Sequence, residues 1–104
     1  MAFAVLDKFP VTAGHTLVIP KRHVADYFDL HEAERACIDK LVLSSRNRLL
    51  QNRDISGFNV GVNVSAAGGQ TIFHAHVHVI PRRDGDVPDP RGGVRGVVPG
   101  KQQY

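Results

Sequence analysis

Apolar residues along this chain change their spacing several times, and each change marks an element. Phe3 to Leu6 is a short apolar run almost at the first residue, so the chain begins in or beside a strand with an abbreviated N-terminus. The proline and glycine of Lys8-Phe9-Pro10-Val11-Thr12-Ala13-Gly14 punctuate a loop. His15-Thr16-Leu17-Val18-Ile19 reads as a second strand stopped by Pro20, with His15 sharing the parity of Leu17 and Ile19. From Asp29 the period becomes helical. Asp29 and Glu32 make a capping-box pair, and Ala33, Cys37, Leu41 and Leu49 recur at helical spacing, with Ile38 and Val42 widening the stripe. The pattern predicts one helix over residues 30–52 whose other side carries Glu34, Arg35, Asp39, Arg46 and Arg53 into solvent.

Asp54-Ile55-Ser56-Gly57 turns the chain into a strand in which Phe58, Val60, Val62 and Val64 alternate with Asn59, Gly61 and Asn63. The small residues of Ser65-Ala66-Ala67-Gly68-Gly69-Gln70 follow as a loop, and the next strand is predicted around His74-Ala75-His76-Val77-His78-Val79-Ile80. Two strands joined in this way predict an antiparallel hairpin. After Pro81 the chain is rich in Pro, Gly and Arg with no periodicity, so residues 82–104 are expected to be an irregular tail, ordered by packing on the body or on a partner chain.

Half of the six histidines fall within five residues of that last strand. Extended backbone sends alternate side chains to opposite faces, which places His74, His76 and His78 on one face and Phe73, Ala75, Val77 and Val79 on the other. Three adjacent imidazoles each need a polar partner, so a purely structural row gains little from them. Zinc is one use. His74, His76 and His78 would be ligands, with His15 as a fourth ahead of His23 or His31, but three in-line residues span roughly 13 Å, too far for one tetrahedral ion to collect easily. The other use is phosphate chemistry. A neutral imidazole attacks phosphorus without a separate base, and its neighbours can donate protons to the leaving or non-bridging oxygens. Backbone amides of Gly68, Gly69 and Gln70 and the hydroxyl of Thr71 would supply an anion cradle beside the row. The phosphate reading fits the residues better than the metal one.

Composition narrows the class. A chain of 104 residues makes one small domain, residues 1–104. The net charge of +3, from 13 basic against 10 acidic residues, suits small anionic ligands and is too weak to indicate a nucleic-acid polymer as partner. A single cysteine, Cys37, excludes an internal disulfide and fits a reducing cytoplasm. Apolar runs fall well short of the roughly 20 residues needed to span a bilayer, and Met1 to Asp7 lacks the plan of a signal peptide, so no membrane partner is expected.

Gly69-Gln70-Thr71-Ile72-Phe73-His74-Ala75-His76-Val77-His78-Val79-Ile80-Pro81-Arg82 resembles the signature of the histidine triad (HIT) superfamily of nucleotide hydrolases and transferases. The similarity extends to the segment from Pro10 to His23 and to Phe58-Asn59-Val60-Gly61-Val62-Asn63. It implies an α+β fold, an antiparallel sheet of four to five strands packed on one long helix, and a homodimer with a continuous sheet. It also implies a nucleotide hydrolase that works through a covalent nucleotidyl-histidine at the α-phosphate, with no cofactor required beyond any divalent ion carried by the substrate phosphates. In that reading His76 is the nucleophile, His78 bonds the phosphate and assists the leaving group, His74 orients the nucleophile and His15 lies beside the phosphate. Asn63, Gly69, Gln70 and Thr71 line the phosphate region, Asp7 holds the ribose hydroxyls and Lys8 lies near the base. Family members usually carry a helix and a strand before the segment matching Phe3, so a more open base site is expected. Two clues to the substrate point apart: Asn63 resembles the phosphoramidate-cleaving branch, whereas Arg82-Arg83 and the segment from Gly85 to Arg95 resemble bacterial dinucleoside polyphosphate hydrolases. A slow or inactive nucleotide-binding, regulatory protein is the alternative.

Overall fold

Four strands and one long helix make up the body of the computed structural model, which describes residues 1–104. The strands are β1 (Ala2–Leu6), β2 (Thr16–Pro20), β3 (Ile55–Gly61) and β4 (Val77–Arg83), and the helix is α1 (Glu32–Leu49). They form one antiparallel sheet in the order β1-β2-β4-β3, with α1 packed against β1, β2 and β4. The α+β layout expected from the resemblance is therefore present, with four strands.

Register decides which residues face the helix. Val18 stands opposite Val77 and Thr16 opposite Val79, and all four are buried. Together with Val24, Leu30, Ile38 and Ala75, the three valines form the core between sheet and helix. Each fully buried valine contributes on the order of 1.5–3 kcal/mol, so this small cluster carries much of the fold. The alternate positions point to the open face, where Leu17 is paired with His78.

The helix is shorter than its predicted 30–52, and its cap differs. Asp29 belongs to a 3-10 turn, Tyr27–Asp29, capped by Asp26 through the Phe28 amide at 2.8 Å. At the start of α1 the Glu34 carboxylate instead accepts the backbone N–H of His31 at 2.8 Å. Glu34 is thus buried rather than part of a solvated face, and Arg22 reaches it with N–O distances of 2.9 and 3.1 Å. The buried stripe of α1 runs through Glu34, Ile38 and Ser45, flanked by half-buried Leu41, Val42 and Leu49, while Ala33 is exposed.

The histidine segment also departs from a regular strand. β4 starts only at Val77, so His78 is in the sheet while His74 and His76 lie in the approach to it. Their rings bond to backbone carbonyls and Ala75 donates its N–H to Val24 at 2.7 Å, so this stretch pairs with the segment after β2 instead of with β3. Alternating burial survives from His74 to Val79, but Phe73 is 53% exposed and does not join the apolar face. The hairpin connection is correspondingly long, covering residues 62–76 and including a 3-10 turn at Ala66–Gly68. Pro20 is the last residue of β2, as expected, whereas Pro81 lies inside β4, which runs on to Arg83. β2 pairs with β4 only from Val77 to Val79, so Pro81 sits past that ladder, where a missing N–H is tolerated as at a sheet edge.

The tail is irregular, with one 3-10 turn at Gly93–Val97 that touches β3. It is held largely by itself. Arg95 donates to the Gln102 carbonyl at 3.1 Å and Gln102 donates to that of Arg91 at 3.3 Å, while a Cβ at Gly92 would lie 1.8 Å from the Gln102 oxygen. Only glycine fits at that crossing.

Candidate active site

His15, at the mouth of β2, and His78, in β4, meet on the open face at 2.9 Å, Nε2 to Nδ1. The proton positions follow from their other partners. The backbone N–H of Val11 donates to His15 Nδ1 at 3.2 Å, so that nitrogen holds a lone pair and the proton is on Nε2. His15 Nε2–H then donates to His78 Nδ1, which leaves His78 with its proton on Nε2. Burial, with the neighbouring His76 and His15 imidazoles adding to it, pushes the His78 pKa below the ordinary 6.5, against a smaller opposing pull from Asp7, so His78 is neutral at pH 7.

His76 is oriented by the same logic. Its Nδ1 lies 2.8 Å from the carbonyl oxygen of His74, and a carbonyl can only accept, so the proton is on Nδ1 and Nε2 is a bare lone pair. The His76 and His78 ring centres are 5.1 Å apart. His74 in turn donates Nε2–H to the Pro20 carbonyl at 2.7 Å, fixing the segment that carries His76, and its ring meets the edge of His23. The site therefore offers one unprotonated nitrogen beside one N–H donor.

Asp7 follows β1 and lies next to His15, Oδ2 to Nε2 3.6 Å, while its Oδ1 accepts the Phe9 amide at 2.9 Å. Asp7, His15 and His78 bring three ligand-type atoms within 4.8 Å of one another. Two of those atoms already share a proton, and a metal on His15 Nε2 would also have to displace the Val11 N–H from the opposite nitrogen. The donor set thus favours a hydrogen-bonded chain over a metal tripod.

The loop after β3 is built differently from the expected cradle. The amides of Gly68, Gly69 and Gln70 donate inside the loop, to Ser65, Ala66 and Ser65 respectively, at 2.9 to 3.1 Å. They are not free to hold an anion. The Gln70 side chain is buried and works as a clamp, donating to Ala25 and Ile72 carbonyls at 2.8 and 3.1 Å and accepting the Ser65 amide at 2.9 Å. Gly69 passes against Asn63, the Cβ it lacks lying 4.0 Å from the Asn63 amide carbon, and Thr71 is exposed. Lys8 is exposed as well, without a hydrogen bond to the other site residues.

A groove of about 710 Å³ opens from His15 and His78 along β3 to the 3-10 turn of the tail, with Asn59 and Asn63 among its walls. Beside it, a second depression of about 640 Å³ holds Arg82 and Asp86. Arg82 forks onto Asp86 at 2.7 and 2.9 Å and donates to Asn59 Oδ1 at 2.7 Å. That guanidinium, with the Arg83 amide, holds the Asp86 carboxyl far below its ordinary range. Val11 and Asn59 carried no signal as site residues. Val11 acts through its backbone, and Asn59 differs from other strand polar residues only by sharing the parity of Gly61 and Asn63.

Comparison with known proteins places this geometry. Residues 1–85 match the family model described as HIT domain. An uncharacterized 16.1 kDa HIT-like protein of Mycoplasma pneumoniae is 42% identical over 81 residues, 78% of this chain and 56% of that protein. AP-4-A phosphorylase of Mycobacterium tuberculosis is 38% identical over 90 residues, 83% of this chain and 45% of that protein, so the chain spans about half the length of these curated relatives. Among solved structures, a HIT family protein from Bacillus anthracis superposes with a TM-score of 0.75 at 41% identity, covering 79% of this chain and 58% of that one. With His78 in a four-stranded antiparallel sheet, His74 and His76 on the approach to it, and the family model matched over residues 1–85, the chain belongs to the HIT domain family.

Proposed function

We propose that this protein is a nucleotide hydrolase that cleaves at the α-phosphate of a nucleoside phosphoanhydride, such as a dinucleoside polyphosphate, or of a nucleoside phosphoramidate. The observation that carries the reading is the bare Nε2 of His76, held by the His74 carbonyl beside the N–H of His78. His76 Nε2 attacks the α-phosphorus, a P–N bond forms, and the bond to the leaving group breaks with its electron pair on the departing atom. His78 donates from Nε2 to that atom, and the negative charge of the bound phosphate favours its protonated form during the step. Water then attacks the phosphorus and passes its proton to His78, the P–N bond breaks with its electron pair on His76 Nε2, and a nucleoside monophosphate leaves His76 neutral. His74 positions the nucleophile, and His15 positions His78. Asp7 holds the ribose, Lys8 lies toward the base, and Asn63, Thr71 and the loop of Gly69 and Gln70 border the phosphate. The chemistry uses no resident metal or cofactor.

The name of the mycobacterial relative supports the phosphoanhydride arm of this reading. The protein would act as a cytoplasmic homodimer, its sheet continued through an outer edge left free by β1 or β3. No helix is long and apolar enough to cross a membrane. Incubation with diadenosine tetraphosphate and with an adenosine phosphoramidate tests the activity. His76→Ala is expected to lower turnover by roughly a thousandfold or more, and equal turnover by the variant removes His76 as nucleophile. A second reading, a nucleotide-binding protein of slow turnover, is favoured by the internally bonded amides of Gly68, Gly69 and Gln70, which leave fewer donors for transition-state charge. Calorimetry with AMP separates the two: micromolar binding without hydrolysis of either substrate supports the second.

A further inference from the structure

The N–H of Val11 on His15 Nδ1 stands at the head of the proton arrangement, yet no packed side chain holds it there. Residues 8–11, the outer limb of the loop between β1 and β2, are all exposed, Val11 itself by 71%. The inner limb is seated. Gly14, at φ +95°, lies so close to the body that a Cβ would come 2.8 Å from Leu49 Cδ2. Thr12 joins the two limbs: its carbonyl accepts the His15 N–H at 3.1 Å, and its hydroxyl accepts a hydrogen bond from Arg83 Nη1 at 3.0 Å.

Arg83 is a fixed point for that last bond. It lies in β4 opposite Ile55 of β3, its Nε donates to Asp54 Oδ2 at 3.0 Å, and its backbone N–H donates to Asp86 Oδ2 at 3.1 Å. The Arg83 side chain is 19% exposed and that of Asp54 59%. An ion pair this open to water adds little to stability, but a planar guanidinium bonded along two of its edges has a set position and direction. Its second edge is spent on the residue next to Val11.

We propose that Arg83 is a positioning residue for the proton donor: through Thr12 it holds the Val11 amide against His15 Nδ1, and so keeps the proton of His78 on Nε2. The inference rests on the reading of His78 as the donor to the leaving group. When the Val11 amide moves away, His15 is free to carry its proton on Nδ1, and its Nε2 then faces His78 as a lone pair. The bond between the two rings survives only with the His78 proton on Nδ1. Each ring still holds one proton, but His78 Nε2 has none to donate. Loss of the tether thus removes the acid without touching the nucleophile, because the proton of His76 is set by the His74 carbonyl.

The test compares the full chain with Thr12→Val, Thr12→Ser and Arg83→Gln. Arg83→Gln also releases Asp54, whereas Thr12→Val leaves that ion pair in place, so the two remove the tether from opposite ends. Nitrogen-15 NMR of the histidine rings at pH 7, without substrate, reads the tautomers: both tether variants should move His15 and His78 from the Nε2–H toward the Nδ1–H form, with His76 unchanged and Thr12→Ser like wild type. Kinetics uses adenosine 5′-phosphoramidate, whose amine departs with a proton from His78, and the nitrophenyl ester of AMP, whose nitrophenolate departs without one. Both tether variants should lose roughly three- to tenfold in kcat on the phosphoramidate, as the fraction of competent protein falls, and keep kcat on the ester. Tautomers unchanged in both variants, equal losses on the two substrates, or a Thr12→Ser variant as impaired as Thr12→Val overturns the inference and leaves the nucleophile standing. A wild-type protein that turns over neither substrate and forms no adduct on His76 overturns the reading of the site, a result the tautomer measurement does not share.

Discussion

The amide of Val11 decides where two histidines carry their protons, and through them what the site can do. Because it occupies His15 Nδ1, His78 is left as a donor from Nε2, while the His74 carbonyl leaves His76 as the unprotonated partner. Three similar side chains thus acquire different roles from backbone groups alone. Gln70 acts at the same scale on the loop. Gln70→Ala removes one acceptor and two donors from buried partners and is expected to cost about 1–3 kcal/mol in denaturant unfolding, with turnover falling as the loop loosens. Unchanged stability would mean that the loop is held by its backbone bonds only. The side chains of the site were legible in the sequence because imidazoles at alternate positions have few structural uses. Backbone partners such as Val11, and the internal bonding of Gly68 to Gln70, were not, since every residue type except proline supplies an N–H.

At the scale of the element, α1 shows how a charged residue can be read onto the wrong face. Glu34 falls in line with Ile38 and Ser45, and its burial is stabilised by the Arg22 guanidinium and the His31 amide, which hold its pKa near 2 against an ordinary 4.5. Helical spacing alone placed the apolar stripe one residue off, because Arg22 lies outside the helix and the pairing is invisible to periodicity. A lowered carboxylate pKa contributes stability that is complete above about pH 4.5 and is lost as pH falls through about 2. Glu34→Gln should therefore lower the unfolding midpoint by several degrees at pH 7, and the gap to wild type should close on acidification through that window. A gap that is the same at pH 7 and pH 2 would contradict the ion pair. β1 and β2 fall within one residue of their expected bounds, whereas β3 and β4 are displaced by three, as much as the helix ends. β4 departed from expectation because the rings of His74 and His76 bond to carbonyls, and Ala75 pairs with Val24, which takes that stretch out of the ladder.

For the whole molecule, the sheet has two distinct faces, one packed on α1 and the other carrying the candidate site. His78 connects them, sitting between buried Val77 and Val79 with its ring on the open face. Its pKa is lowered by burial, so the unfolded chain binds the proton more readily and stability falls as pH drops below 6.5 toward the folded-state value. His78→Gln should flatten that part of the stability curve between pH 7 and pH 5; an identical slope in wild type and variant would contradict the assignment. The tail was legible only as irregular, because its order comes from crossings such as Gly92 over Gln102, which no local pattern announces.

Rapid quenching of the protein during turnover of an adenosine phosphoramidate, followed by peptide mass spectrometry, shows whether His76 carries the nucleotidyl group. The expected result is one adenylyl group on the peptide containing His74, His76 and His78, localised to His76 and absent from His76→Ala. An adduct on another residue, or full turnover with no adduct at any quench time, would contradict it.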